Sequence, residues 1–211
     1  MAGNRRWLAR KLAVILPELM TWESTSQSVT WYTCQIGRLL QTLKMQNAKA
    51  FKRIVDFFTE TELPDGGWSA VMGQNGPDPD STAGIGDFLA PFLGKKHPAV
   101  ARAQQMFELN LTKLLSKVQK EKVEDAYELT HLVFDTPPNI MYQKGDKRIE
   151  TLLEALARAQ RTDGGWLTFY YEGKSDVAIT VFSLQVLISH GVISKSSLQK
   201  LFDSALKTTK N

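Results

Sequence analysis

A period of about 49 residues constrains this chain more than any other feature of its sequence. The turn Asp-Gly-Gly-Trp occurs twice, as Asp65-Gly66-Gly67-Trp68 and as Asp163-Gly164-Gly165-Trp166, with starts 98 residues apart. Half of that spacing, stepped from Thr33, reaches Thr82, His131 and Thr180; stepped from Leu40 it reaches Leu89, Pro138 and Leu187. Self-similarity at a fixed period means stacked units, none of which can bury its apolar face alone. Each of the four units reads as a helical hairpin. An apolar helix comes first (VTWYTCQIGRLLQTL, DSTAGIGDFLAPFL, AYELTHLVF, DVAITVFSLQVLI), and an amphipathic one follows (AKAFKRIVDFFT, PAVARAQQMFELNLTKLLSKV, KRIETLLEALARAQ, SLQKLFDSALK). The sequence therefore predicts an all-α chain, a single α/α-repeat domain over residues 1–211. It comprises an N-terminal helix at 1–22 and repeats near 23–63, 64–121, 122–162 and 163–211. The first helix of each unit belongs inside, and the second presents a charged stripe to water.

Composition narrows the function classes. The one cysteine, Cys34, permits no disulfide framework and no thiolate metal cluster, which makes a reducing compartment the default. The net charge of +4 comes from lysines and arginines scattered among acids, without aromatic interleaving, and this disfavours a nucleic-acid partner. At the start, Arg5, Arg6, Arg10 and Lys11 precede an apolar run of only Leu12 to Leu16 before Pro17 and Glu18. That run is too short for a secretory leader or a membrane span, so the sequence reads as cytoplasmic. The same basic residues beside Trp7, Leu8 and Leu12 suit either a peripheral helix on anionic lipid or an ordinary first helix packed on the array.

At LARAQRTDGGW the residues carry a family resemblance. The segment is similar to the Gln-Trp repeat motif of squalene-hopene and oxidosqualene cyclases and related class II terpene cyclases, and Gln160 and Trp166 match it; TELPDGGW has Glu62 at the equivalent place. After Trp68, the run Asp78-Pro79-Asp80-Ser81-Thr82-Ala83 resembles the Asp-x-Asp-Asp-Thr-Ala segment that carries the catalytic acid of those cyclases, with Ser81 where the last Asp stands. The repeat is shared with protein prenyltransferase β-subunits. The resemblance implies an α/α toroid around a cavity, an apolar isoprenoid-like substrate and cyclisation initiated by protonation; no cofactor or metal is expected from the residues, since a single Glu-x-x-His is not a di-iron site and three ligands on one helix make no zinc site. Complete toroids of these families use more than four hairpins, which implies a cavity open on one side or completed by another subunit in a homo- or hetero-oligomer.

Two places break the repeat with reactive groups. Aligned from the two Trp residues, Asp78 falls on Asp176 and Thr82 on Thr180, whereas Asp80 falls on Ala178. The repeated Asp and Thr suit helix capping and back-bonding to a carbonyl. Asp80 suits either a general acid or a helix-dipole residue. His131 replaces the Thr of the other units, with Glu128 and Asp135 on its helical face, so it reads as an acid–base group or as a hydrogen-bonded core histidine. The prolines of FDTPPN end that helix early. Trp31, Tyr32, Tyr127, Phe134, Phe169 and Phe182 lie on inner segments, either as core or as π faces for a cation, and Asp78, Asp135 and Asp176 join them as candidate substrate contacts. Three functions stay open: a class II cyclase-like enzyme using Asp80, a tailoring enzyme for a natural product or modified peptide using Asp80, Glu128 and His131, and a non-catalytic module for an apolar ligand, a peptide or a partner.

Overall fold

The computed structural model describes residues 29–70, 76–120, 123, 125–168, 173–194 and 196. Helices take up 64% of these residues, in line with the expected all-α class. In chain order the elements are α1 (Val29–Thr42), α2 (Lys49–Glu60), α3 (Pro79–Leu93), α4 (Pro98–Lys120), α5 (Tyr127–Asp135), α6 (Lys147–Arg158), β1 (Trp166–Leu167), β2 (Ser175–Asp176) and α7 (Val177–Ser189). The strands form one short antiparallel ladder, Trp166 opposite Asp176 and Leu167 opposite Ser175. The expected helix at 1–22 and the second helix of the fourth hairpin, SLQKLFDSALK, lie outside the described residues. Among the described residues no helix is long and apolar enough to cross a membrane.

The chain divides within α4 into two compact units, residues 1–108 and 109–211. In the first, α1 packs against α2 and α3. Phe51, Ile54 and Phe58 of α2 meet Cys34 and Leu40 of α1, Ile85, Phe88 and Leu89 of α3, and Trp68. Asp78 caps α3 by accepting a hydrogen bond from the Ser81 amide (2.8 Å), Pro79 opens the first turn, and every residue from Ser81 to Ala90 is buried. In the second unit α5 packs against α6 and α7. The helix α5 has nine residues, where α3 has fifteen, because Thr136 turns its hydroxyl onto the Leu132 carbonyl and Pro137 and Pro138 follow.

The 49-residue period survives in the packing. The buried stripe of the second helix is Phe51, Ile54 and Phe58 in the first hairpin, Val100, Ala103 and Phe107 in the second, and Ile149, Leu152 and Leu156 in the third. Each set is the previous one moved by 49 positions. The hydrogen bonds of the Trp residue also repeat in the two Asp-Gly-Gly-Trp turns. The indole N–H of Trp68 donates to the Phe58 carbonyl (2.8 Å), and that of Trp166 to the Leu156 carbonyl (2.7 Å). Their backbone N–H groups donate to Thr82 Oγ1 (2.9 Å) and Thr180 Oγ1 (3.1 Å). The first glycine of each turn supplies a positive φ, +86° at Gly66 and +85° at Gly164. The second lets the following helix come close: a Cβ on Gly67 would stand 2.7 Å from Thr82 Oγ1, and one on Gly165 3.0 Å from Thr180 Oγ1. The same sharp turn is therefore needed twice because it clamps a buried Trp between the end of one hairpin and the start of the next.

The expected enclosure of the first helices holds for α3 but not for α7. That helix is apolar on nearly every side, yet Val177 is 80% and Val181 52% exposed.

Candidate functional site

The residues singled out from sequence fall into two groups, one in each unit. In the first, Asp78 is the α3 N-cap, and Asp80 occupies the second helical position, half-buried, where a carboxylate favours the positive end of the helix dipole. Trp31 and Tyr32 neighbour each other on α1 with their rings edge to face at 5.1 Å, and Tyr32 is exposed. Two partners in this unit went unnoticed in the sequence. Asp87, buried on α3, accepts from Arg38 Nη1 of α1 (3.3 Å), while Arg38 Nη2 donates to the Gly84 carbonyl (2.8 Å). Glu62, in the place of the motif Gln, pairs with Arg102 of α4.

The second unit gathers more of the candidates. Tyr127, Glu128, His131, Phe134 and Asp135 all lie on α5. His131 Nδ1 stands 3.2 Å from Asp135 Oδ2, with the two side chains 13% and 4% exposed. A carboxylate only accepts, so the Nδ1 atom carries the hydrogen and Nε2 is left as the basic nitrogen. Three rings complete the surroundings: Tyr127 at 4.3 Å from the imidazole centroid, Phe182 of α7 edge-on at 6.0 Å, and Phe134 stacked on Phe182 at 4.6 Å. Beneath them, Thr130 and Ser183 join α5 to α7 through a buried hydroxyl pair at 2.8 Å. This arrangement can hold an imidazole in one orientation and set apolar π faces beside it. The carboxylate sits one helical turn away, which is the i,i+4 relation that the sequence displays.

Glu128 does something else. Its two carboxylate oxygens accept from Lys113 (3.1 Å) and Lys117 (2.9 Å) of α4. Burial pushes its pKa up, but the hydrogen bonds from Lys117 and Lys113 outweigh that effect and hold the carboxyl below the usual glutamate range. A carboxylate so stabilised is a poor proton donor near neutrality. Because its folded pKa is depressed, Glu128 contributes stability above the ordinary value of 4.5, and that contribution fades as pH falls through the lowered one. Glu128→Gln is therefore expected to flatten the acid side of the stability–pH curve. Salt is expected to shrink the difference, since the pair is partly exposed. Urea unfolding at stepped pH checks this, and parallel acid limbs for variant and parent would reject it.

The remaining candidates take structural positions or lie outside the described residues. Asp176 is the α7 N-cap, accepting from the Ile179 amide (2.7 Å). Gln160 donates from Nε2 to the Gly164 carbonyl (2.8 Å) and so braces the second turn. Phe169 lies outside the described residues. A cleft of about 380 Å³ opens below this turn, lined by Val123, Arg158, Ala159, Gln160, Arg161, Thr162 and Leu167; of the sequence candidates it includes Gln160 but none of the proposed acids or bases. Among the described residues no group of three or more His, Cys, Asp or Glu side chains could hold a metal ion.

Comparison with known protein-family models, with curated proteins and with solved structures yields no match for this chain.

Proposed function

We propose that this chain is an α/α-hairpin enzyme that takes an apolar small molecule or peptide against the Tyr127, Phe134 and Phe182 rings and acts on it by acid–base chemistry. In this reading His131 Nε2 is the proton-carrying atom and Asp135 a positioning residue. The observation that carries it is the His131–Asp135 pair: a half-buried imidazole whose Nδ1 is 3.2 Å from a buried carboxylate and whose ring lies among aromatic faces. With Nδ1 held by the carboxylate, Nε2 is the basic nitrogen that would accept a proton from substrate and return it. No cofactor enters this chemistry. The wider setting is a toroid-like array of four hairpins with an open side, in the cytoplasm.

A second reading follows the cyclase resemblance. Asp80 would be the general acid that protonates an alkene or epoxide, and it is supported by its half-buried position in the first turn of α3 within the Asp-Pro-Asp-Ser-Thr-Ala run. Its bland competitor, service to the helix dipole, is met by the same position.

The test uses the full chain and a panel of prenyl alcohols, prenyl diphosphates and apolar peptides. Binding is followed through the His131 ring resonances and turnover by mass spectrometry. A true ligand should shift those resonances and bind about tenfold more weakly to Tyr127→Ala, the loss expected for one well-placed aromatic contact. Asp135→Asn should retain binding but lose turnover. Turnover that survives His131→Ala and vanishes in Asp80→Asn would transfer the assignment to the cyclase reading. Binding without turnover in any sample would leave a ligand-binding module.

A further inference from the structure

The cleft below the second Asp-Gly-Gly-Trp turn carries charges that the turn itself does not need. Both turns use one backbone frame. The Leu63 amide donates to the Gly67 carbonyl and the Arg161 amide to the Gly165 carbonyl, each at 2.9 Å, while the Gly66 and Gly164 amides donate back to the Leu63 and Arg161 carbonyls. Leu63 and Arg161 thus hold the same place, 98 residues apart. At that spacing Arg158 falls on Glu60 and Gln160 on Glu62. The first set holds two acids and no base, whereas the second holds two arginines and no acid.

The charges also differ in how they are answered. In the first unit Glu62 is paired with Arg102, which lies over the turn so closely that a Cβ on Gly66 would stand 2.2 Å from its Nε. In the second unit Arg158 and Arg161 line the cleft of about 380 Å³. A guanidinium has five N–H donors. Arg161 gives one to the Gly173 carbonyl (3.0 Å), and Arg158 stands 3.8 Å from Glu154, beyond hydrogen-bond reach. Among the described residues both forks therefore keep donors for a ligand. Beside them the lining is apolar, through Val123, Ala159 and Leu167. Leu167 is fixed there by its pairing with Ser175 and by its carbonyl, which accepts from the Ala126 amide (3.0 Å).

We propose that this cleft binds the carboxylate of a small apolar acid, with Arg158 and Arg161 on the carboxylate and Val123, Ala159 and Leu167 against the tail. Planar guanidinium forks match the two oxygens of a carboxylate. Glu154 near Arg158 and Asp163 two residues beyond Arg161 already answer part of the positive charge, so one negative charge suits the cleft better than the two of a phosphate monoester. This inference is independent of the activity proposed at His131.

The experiment titrates four probes into the full chain: isocaproate, its neutral amide, isobutyl phosphate, and an acetylated dipeptide ending in a free leucine carboxylate. NMR follows the Nε–H signals of Arg158 and Arg161 and the Leu167 amide. Isocaproate or the dipeptide should give saturable shifts, and the amide should bind at least about tenfold more weakly. Arg158→Gln and Arg161→Gln should each weaken binding about tenfold, the loss of one charge-assisted contact. The tighter of the two acids tells whether the carboxylate comes from a free acid or a chain terminus. No saturable shift up to about 10 mM overturns the proposal. So do equal binding of acid and amide, binding indifferent to both substitutions, and tighter binding of the phosphate. Shifts of the His131 ring with silent arginines overturn it too, because the acid would then sit at the acid–base site. If Arg161→Gln also disturbs the β1–β2 ladder through its lost bond to Gly173, Arg158→Gln decides.

Discussion

Trp166→Ala and Trp68→Ala are each expected to destabilise the protein by about 3–5 kcal/mol, the range for removing a buried aromatic side chain where the surroundings collapse only in part. Both rings are enclosed, at 0% and 1% exposure, and both bind their indole N–H to the last turn of the preceding helix. Truncation opens a cavity and leaves the Phe58 or Leu156 carbonyl without this donor. The twin geometry makes the comparison sharper than either value. Since both Trp residues make the same indole and backbone hydrogen bonds, the two losses should agree to within about 1 kcal/mol, inside the usual spread of such series. Thr82→Val and Thr180→Val remove the acceptor of the Trp backbone N–H. The first should cost about 1–3 kcal/mol because Thr82 is wholly buried, and the second less because Thr180 is only half-buried. Urea titration followed by tryptophan fluorescence and circular dichroism measures all four. A Trp68→Ala loss under 1 kcal/mol beside a large one at Trp166 would mean that the first turn is ornamental.

Much of this architecture is legible in the sequence because it rests on periodicity. Apolar residues at positions such as 51, 54 and 58, repeated at 100, 103 and 107 and at 149, 152 and 156, announce both the helix and the face it buries. Asp78 and Asp176 are legible as caps because capping is local, within three residues of chain. Contacts that leap across a turn were harder to read. The hydroxyls of Thr82 and Thr180 look like groups that back-bond along their own helix, yet they answer the Trp N–H fourteen residues earlier. Glu128 looks like a partner for His131, but lysines eleven and fifteen residues before it on α4 hold its carboxylate. The link between His131 and Asp135 was readable for the opposite reason, being a single helical turn. Nothing local distinguishes Asp80 as an acid from Asp80 as a dipole residue, since one position serves both.

Asp87→Ala is expected to cost about 3–5 kcal/mol, as removal of one member of a buried ion pair does. The Asp87 side chain is 2% exposed and that of Arg38 17%, and the substitution leaves a guanidinium between α1 and α3 with its carboxylate gone. Replacing both partners, as Arg38→Met with Asp87→Leu, should recover most of the loss, because two apolar groups need no desolvation compensated. The signal was present in the sequence as arithmetic. Arg38 and Asp87 are separated by one period, so they hold the same place in successive hairpins, and side-by-side packing of α1 and α3 brings equal places together. Opposite charges at one repeat position are thus a contact prediction in a stacked array, whereas searching each repeat for its own reactive group passes over them. The double-mutant cycle decides what the pair does. Strong coupling with recovery in the double variant identifies an electrostatic clasp that fixes the register of α1 on α3. A double variant as unstable as Asp87→Ala alone would show that the Gly84 carbonyl, which accepts from Arg38 at 2.8 Å, depends on the guanidinium just as the carboxylate does.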